Sequence, residues 1–266
     1  MSMEFQSYQG FKETQATLQA DMIQLENFCR EMKMEETARG LYDAREKAAK
    51  DTFNVAVIGE FKRAKSTLIN GLLGKKILPA DPLPCSATLN RVTYDVTPHA
   101  SIQFHDGTGK DIEVEELAGY VTKLTEESEE VASTIREATV YYPLSFCKNN
   151  VDIIDTPGLN DDEKMTEVTL SVIPESDMSI VAIMALSPFS EYEKDFLENK
   201  LMTSDIGKIV FAVTKIDLVE EEDRERVIAH IRKEIEKHIL VKARKVYGED
   251  SEEYHNYEKN WAKSKL

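Results

Sequence analysis

The amino-acid sequence predicts an α/β fold with a mostly parallel sheet flanked by helices and a helical appendage at the N-terminus. Short apolar runs rich in β-branched residues alternate with segments of helical periodicity, a pattern typical of a parallel sheet covered on both faces. Polar segments containing glycine or threonine follow three of these runs. Because ligands bind beyond the carboxyl ends of the strands in such sheets, these three segments are candidates for a ligand-binding site.

Composition limits the possible classes of function. The chain has 266 residues and a formal net charge of −16, which argues against binding nucleic acid. No run of about 18 apolar residues and no secretory signal is found, so we expect a cytoplasmic location. The three cysteines and five histidines lack the spacing of a disulfide framework or a zinc site.

The first 50 residues are predicted to be helical. Apolar residues recur at intervals of three and four, which indicates an amphipathic helix; they are Leu18, Met22, Leu25, Phe28 and Met32. Gly40 is predicted to interrupt this region, with a second helix from Leu41 to Lys50. The segment is either a helix that packs on the following domain or half of a bundle that other segments complete.

The predicted elements of the remaining chain follow in order. A buried strand at 54–59 precedes a helix that Gly74 caps, and the proline-containing segment 77–91 is predicted to be a loop. Residues 92–96 and 100–107 are predicted to form a strand pair. Further strands are predicted at 138–143, 151–154, 178–186 and 208–213. Helices are predicted at 114–125, around 192–201 and at 220–240, and the polar C-terminal stretch is also predicted to be helical.

The segment GEFKRAKST (59–67) resembles a phosphate-binding loop, G-x-x-x-x-G-K-[ST], but has Ala64 in place of the second glycine. In such a loop, backbone N–H groups and a helix N-terminus bind the phosphates. Lys65 would reach the β- and γ-phosphates, and Ser66 would bind Mg²⁺. The alternative is an ordinary turn between a strand and a helix. The predicted nucleotide-binding residues are Gly59, Glu60, Phe61, Lys62, Arg63, Ala64, Lys65, Ser66 and Thr67.

Two further motifs follow predicted strands. In DTPG (155–158), Asp155 can hold a Mg²⁺-bound water, and the N–H of Gly158 can approach a γ-phosphate oxygen. In TKID (214–217), Asp217 can accept hydrogen bonds from two N–H donors that guanine has and adenine lacks. The aliphatic stem of Lys215 can cover the face of the base, and Thr214 is also predicted to bind the nucleotide. Each motif is weak evidence alone, but their order along the chain predicts a site for GTP or GDP with Mg²⁺.

The stretches GEFKRAKSTLING, IDTPGLND and TKID resemble those of the dynamin superfamily of large GTPases, specifically its bacterial dynamin-like members. This resemblance implies a P-loop GTPase fold of the dynamin type at 51–266, preceded by neck helices at 1–50. It also implies GTP hydrolysis, with dimerisation of the GTPase domains completing the catalytic site.

The resemblance also implies roles for individual residues. In PCSAT, Ser86 or Thr88 takes the place of the switch threonine that binds Mg²⁺. Lys62 lies where relatives carry a catalytic arginine or serine, and a cation there would offset charge on the transferred phosphoryl group. The implied catalytic residues are Lys62, Lys65 and Ser86, and the implied metal ligands are Ser66, Ser86, Thr88 and Asp155.

Family members have a further strand, a stalk and a membrane-binding tip, so we expect a GTPase-domain fragment that contacts membranes only through missing parts of its parent. The parent would be cytoplasmic or peripheral at the membrane. One alternative is a nucleotide-poor, non-catalytic interaction module with a GTPase fold. The acidic charge disfavours another alternative, a ribosome-associated GTPase.

The effect of Ala64 on nucleotide binding distinguishes the two hypotheses, a GTPase and a non-catalytic module. The glycine of a phosphate loop adopts a positive φ, which costs another residue roughly 1–2 kcal/mol. If only the bound conformation carries this cost, nucleotide affinity falls about tenfold. We therefore predict that Ala64 weakens binding of GTP and GDP and that Ala64→Gly restores it. The alternative is a local backbone adjustment that makes Ala64 harmless.

Overall fold

The computed structural model describes residues 3–49, 52–79, 88–122, 126–148, 150–159, 163–201, 209–252 and 254–255. The chain forms two compact units, Met1–Thr52 and Phe53–Leu266. The candidate site residues all belong to the second unit.

The N-terminal unit is a pair of helices, α1 (Met3–Glu31) and α2 (Glu35–Ala49). The chain turns at Lys33, which has a φ of 58°, and Cys29 and Ala38 are buried within the unit. The predicted interruption at Gly40 is wrong, because Gly40 lies within α2. A glycine inside a helix costs only about 1 kcal/mol relative to alanine, which packing of α2 on α1 can offset.

The second unit is built on one sheet of eight strands with the order β4-β3-β5-β2-β6-β1-β7-β8. The strands are β1 Phe53–Ile58, β2 Leu89–Tyr94, β3 His99–Phe104, β4 Gly109–Ile112, β5 Ile135–Tyr142, β6 Val151–Asp155, β7 Met178–Met184 and β8 Ile209–Thr214.

Four strand pairs are parallel and three are antiparallel, which confirms the mixed but mostly parallel sheet. Strand β1 lies between β6 and β7, and β8 follows β7, all in parallel. The predicted pairing of the second and third strands is wrong, because β5 lies between β2 and β3. Instead, β2 runs antiparallel to β6, and β3 pairs with β4, a short strand that the sequence did not predict.

Helices cover the sheet. They are α3 Lys65–Leu73, α4 Leu117–Val121, α5 Glu126–Thr134, α6 Glu163–Val172, α7 Glu191–Asp195 and α8 Glu221–Tyr247. As predicted, α3 ends at Gly74, which has a φ of 68° and donates to the carbonyl of Asn70. Helix α7 continues into a wider π-helical turn, Phe196–Leu201.

The core of this unit comprises two apolar clusters. One contains Ile69 of α3 packed with residues of the strands, and the other contains Ile231 and Ile235 of α8 with residues such as Ile183 of β7. Alternate strand residues point to opposite faces, so this division shows that both faces are covered, as the near-continuous apolar strands predict. None of the helices in the described residues is long and apolar enough to span a bilayer.

Candidate functional site

The three predicted motifs meet at one edge of the sheet. Because β1, β6, β7 and β8 are parallel, their carboxyl ends share this edge. Val57 near the end of β1 pairs with Asp155 at the end of β6. Thr214 at the end of β8 pairs with Met184 at the end of β7. The phosphate loop (residues 59–67), the DTPG segment (155–158) and the TKID segment (214–217) therefore all begin here.

The phosphate loop has the backbone of an anion cradle. Lys62 and Ala64 have φ angles of 64° and 60°, and Ala64 is left-handed with a ψ of 34°. Helix α3 begins at Lys65, and its N-cap residue, Ala64, makes no side-chain capping hydrogen bond. Left-handed residues followed by the N-terminus of a helix are the arrangement that binds phosphate.

The prediction that residue 64 has a positive φ is confirmed. The left-handed conformation costs alanine roughly 1–2 kcal/mol relative to glycine. The weakening of nucleotide binding by Ala64 stays a prediction.

Lys65 is buried at the base of the loop. Its Nζ donates hydrogen bonds to the carbonyl oxygens of Gly59, at 3.0 Å, and Glu60, at 3.1 Å. The ammonium group is thus held inside the loop by neutral acceptors, which anionic phosphate oxygens can replace.

Ser66 and Asp155 form the predicted metal-binding pair. The Ser66 hydroxyl donates to Oδ2 of Asp155 at 2.5 Å. Burial raises the pKa of Asp155, although the charge of Lys65 and the hydrogen bond from Ser66 oppose this rise. Oδ1 of Asp155 is buried and has no hydrogen-bond partner among the described residues.

These contacts fit a magnesium site. A hydroxyl beside a carboxylate supplies the oxygen atoms that Mg²⁺ prefers, and Oδ1 of Asp155 remains available to a Mg²⁺-bound water. No group of three or more His, Cys, Asp or Glu side chains that could hold a metal occurs among the described residues.

The DTPG segment lies directly against the phosphate loop. The backbone N–H of Phe61 donates to the carbonyl of Leu159, and the N–H of Leu159 donates to the carbonyl of Gly59. A Cβ on Gly158 would lie 2.8 Å from Cα of Phe61, a distance that real Cβ contacts do not reach. Glycine is thus required at position 158 for contact with the phosphate loop, a reason that the motif alone did not reveal.

The TKID segment is joined to the same loop. The Thr214 hydroxyl donates to the carbonyl of Arg63 at 3.0 Å. Lys215 is half-buried with a φ of 56°, and it precedes the short 3₁₀ helix Ile216–Leu218. Asp217 is exposed, so its carboxylate is accessible to a base.

The structure describes Thr88, one of the two candidate switch residues. Ser86 lies outside the described residues. Thr88 is buried directly before β2. Asn90 of β2 pairs with Asp155 in an antiparallel register, so Thr88 lies at the same sheet edge as Asp155.

The other predicted residues of the phosphate loop differ in exposure. Lys62 and Thr67 are exposed, and Nζ of Lys62 lies 5.1 Å from the centroid of the Phe61 ring. Arg63 and Glu60 are buried, and their side chains are bonded to each other at 2.7 Å. The Arg63 side chain therefore does not serve as a free cation for phosphate.

The sequence did not predict the partners of Arg63. Its guanidinium donates to the carbonyl of Ser187 at 2.7 Å and lies 2.8 Å from Oε1 of Glu193. The hydroxyl of Ser190 donates to Oε1 of Glu60 at 2.7 Å. Ser190 and Glu193 form a capping box at the start of α7. The pattern S-x-x-E could have predicted that helix start, but not its contact with a loop over 120 residues earlier.

Comparison with known proteins agrees with this geometry. The model of the dynamin family matches residues 55–216, more than half of the chain. The chain therefore belongs to the dynamin family and has a dynamin-like GTPase domain with the fold of P-loop GTPases.

Two relatives illustrate the similarity. A bacterial dynamin-like protein of Nostoc punctiforme is 30% identical over 64% of this chain and 25% of its own length. An uncharacterised protein in the xynA 3′ region of Caldicellulosiruptor sp. is 31% identical over 77% of this chain and 50% of its own length. The chain thus spans between a quarter and half of the length of these relatives.

A solved structure shares the fold. It belongs to an oligomerised bacterial dynamin pair described as a mechanism for long-range sensing and tethering of membranes. The TM-score is 0.59 at 22% identity, over 92% of this chain and 38% of that one.

Proposed function

We propose that this chain binds guanine nucleotides through the phosphate loop, the DTPG segment and the TKID segment, and hydrolyses GTP to GDP and phosphate. The observation that carries this proposal is the direct bonding of the phosphate loop to both other motifs. Ser66 contacts Asp155, and the carbonyl of Arg63 accepts from Thr214. Motifs that had merely occurred by chance along the chain would not be joined in this way.

Within the site, each group has a physical role. The first N–H groups of α3 and the Nζ of Lys65 bind the phosphates, which replace the carbonyl partners of Lys65. Asp217 accepts from the guanine edge, and the Lys215 stem covers the base. These contacts orient GTP so that its γ-phosphate faces the DTPG segment.

Ser66 and Asp155, with Ser86 or Thr88, would hold Mg²⁺. When bound, the ion supplies positive charge that stabilises the phosphate oxygens. Lys62 is exposed at the rim of the loop, and we infer that its ammonium stabilises charge on the transferred phosphoryl group. Phosphoryl transfer depends mainly on positioning and charge, and both are provided by these residues.

We further propose that two GTPase domains associate during catalysis and that the longer parent acts at membranes. Support comes from the similar fold of an oligomerised bacterial dynamin that tethers membranes. It also comes from the match to only part of longer dynamin-like proteins.

A phosphate-release assay tests the enzymatic proposal. With Mg²⁺, the chain should release phosphate from GTP but not from ATP, and the rate per molecule should rise with protein concentration if domains must associate. The isosteric variant Asp155→Asn should lose most of this activity and its dependence on Mg²⁺. GTP binding without hydrolysis at any concentration would instead support the non-catalytic interaction module.

A further inference from the structure

Arg63 lies between the two strained residues of the phosphate loop, and its side chain is directed into the protein. Lys62 and Ala64, on either side of it, both have positive φ angles. Non-glycine residues keep such a conformation only when the surrounding contacts enforce it. The contacts of Arg63, which lies between the two, therefore contribute to the conformation of the loop.

Among the partners of the Arg63 side chain, Glu193 is the most distant in sequence, and it is almost fully buried. Nε of Arg63 lies 2.8 Å from Oε1 of Glu193, and the two side chains are 6% and 7% exposed. The N–H at Nε does not point at Oε1, so the contact is an ion pair rather than a hydrogen bond. Screening by water is weak at this depth, so the attraction is stronger than that of a surface pair.

The other oxygen of Glu193 fixes the segment that approaches the loop. Oε2 accepts from the backbone N–H of Ser190 at 3.1 Å. The hydroxyl of Ser190 in turn bonds Glu60, the second carboxylate beside Arg63. Burial raises the pKa of Glu193, the charge of Arg63 opposes this rise, and Glu60 adds to it. Glu193 thus links Arg63 to the start of α7 with both of its oxygen atoms.

We propose that Glu193, which belongs to none of the three nucleotide-binding motifs, is a positioning residue that holds the phosphate loop in its nucleotide-binding conformation through Arg63. The proposal deepens, and rests on, the proposed nucleotide binding. It makes affinity for GDP depend on the start of α7, which lies outside all three motifs.

The variant Glu193→Gln tests this role. It keeps the size of the side chain, but glutamine has one oxygen where glutamate has two, so it cannot serve both Arg63 and Ser190. We expect GDP to bind about tenfold more weakly, as measured by calorimetry. In the nucleotide-free variant, amide hydrogen exchange in residues 61–66 should be faster.

Two control variants separate positioning from general destabilisation. Glu191→Gln makes the same chemical change on the same helix, at a side chain that is 92% exposed and pairs with Lys194. Ile235→Val lowers stability through the buried core. We expect neither variant to change GDP affinity or exchange in residues 61–66.

The double variant Ala64→Gly, Glu193→Gln shows whether the effect of Glu193→Gln on GDP affinity depends on residue 64. A purely structural role of Glu193 would give the same effect in both backgrounds. Glycine adopts a positive φ without strain, so a glycine at position 64 needs less support from Glu193. We expect the loss from Glu193→Gln to shrink from about tenfold to about threefold in this background. An equal loss in both backgrounds, or no loss in either, would overturn the positioning role. If neither the native chain nor Ala64→Gly binds GDP, nucleotide binding itself fails, while hydrogen exchange still tests the positioning.

Discussion

The phosphate loop and the TKID segment lie at the same sheet edge but are built differently. The phosphate loop forms hydrogen bonds with Leu159 and Thr214, and its Arg63 forms an ion pair with Glu193. The TKID segment is joined to it only through Thr214 among the described contacts, and Asp217 is exposed. Both contain a lysine at positive φ. Under the proposed function, phosphate affinity would depend on a buried, extensively bonded loop, and base selectivity on one carboxylate at the surface.

The largest expected effect is that of Lys65→Ala. This variant removes the buried ammonium that now bonds two loop carbonyls. We expect the affinity for GDP and GTP to fall by about 100-fold or more, because losing one partner of a buried charged contact typically costs about 2–5 kcal/mol. Calorimetric titration measures this, with Lys62→Ala as the control in the same loop. An unchanged affinity would show that Lys65 stays on its carbonyl partners and does not reach the phosphates.

Asp217→Asn tests the role of the exposed TKID segment in base selectivity. We expect GTP affinity to fall about 100-fold and xanthosine triphosphate to become the preferred ligand, because an amide donates where the carboxylate only accepts. Competition between the two nucleotides measures the change. Because Asp217 is exposed, the melting temperature of the free chain should not move. A retained guanine preference would remove the role assigned to Asp217.

Lys62→Ala separates catalysis from binding within the phosphate loop. Lys62 is exposed and contacts the ring of Phe61, so it does not hold the loop together. We expect kcat to fall about 30-fold with little change in KM, since its charge acts on the transferred group. Lys62→Arg keeps the cation and should retain most of the activity. A loss confined to KM would mean that Lys62 binds nucleotide instead.

Ala64→Gly should have the smallest effect. It relieves a left-handed alanine, so the free energy of unfolding should rise by about 1 kcal/mol. Nucleotide affinity should rise by no more than about tenfold, because the strain relieved at this residue is worth only roughly 1–2 kcal/mol. Lys33→Gly, at another left-handed residue in the turn between α1 and α2, is the matched control and should leave affinity unchanged. A gain above tenfold would show that the Ala64 methyl group itself obstructs the phosphates.

The sequence predicted those parts of the fold that local pattern determines. The buried strands β1, β6, β7 and β8 are near-continuous apolar runs, and the positive φ at Ala64 followed from the missing glycine. Strand β4, of sequence GKDI, has a single buried residue and no such pattern. The partner of β2 was missed because alternation within a strand does not specify its neighbour.

Within the site, too, the sequence predicted what local motifs determine and missed what tertiary packing determines. Motif spacing predicted which of its residues share the sheet edge. It could not predict the Arg63–Glu193 ion pair, because charged residues are rarely buried and those two are far apart along the chain. Their pairing depends on how the loop after β7 packs, which is a property of the tertiary structure.

The measurement that tests guanine-nucleotide binding most directly is a calorimetric titration of the nucleotide-free chain with GTP, GDP and ATP, each with and without Mg²⁺. We expect GTP and GDP to bind at least about 100-fold more tightly than ATP, with Mg²⁺ strengthening the binding of GTP. Equal affinity for GTP and ATP would contradict the role of the TKID segment. No binding of any nucleotide, by the native chain or by Ala64→Gly, would contradict the assignment of a nucleotide-binding site.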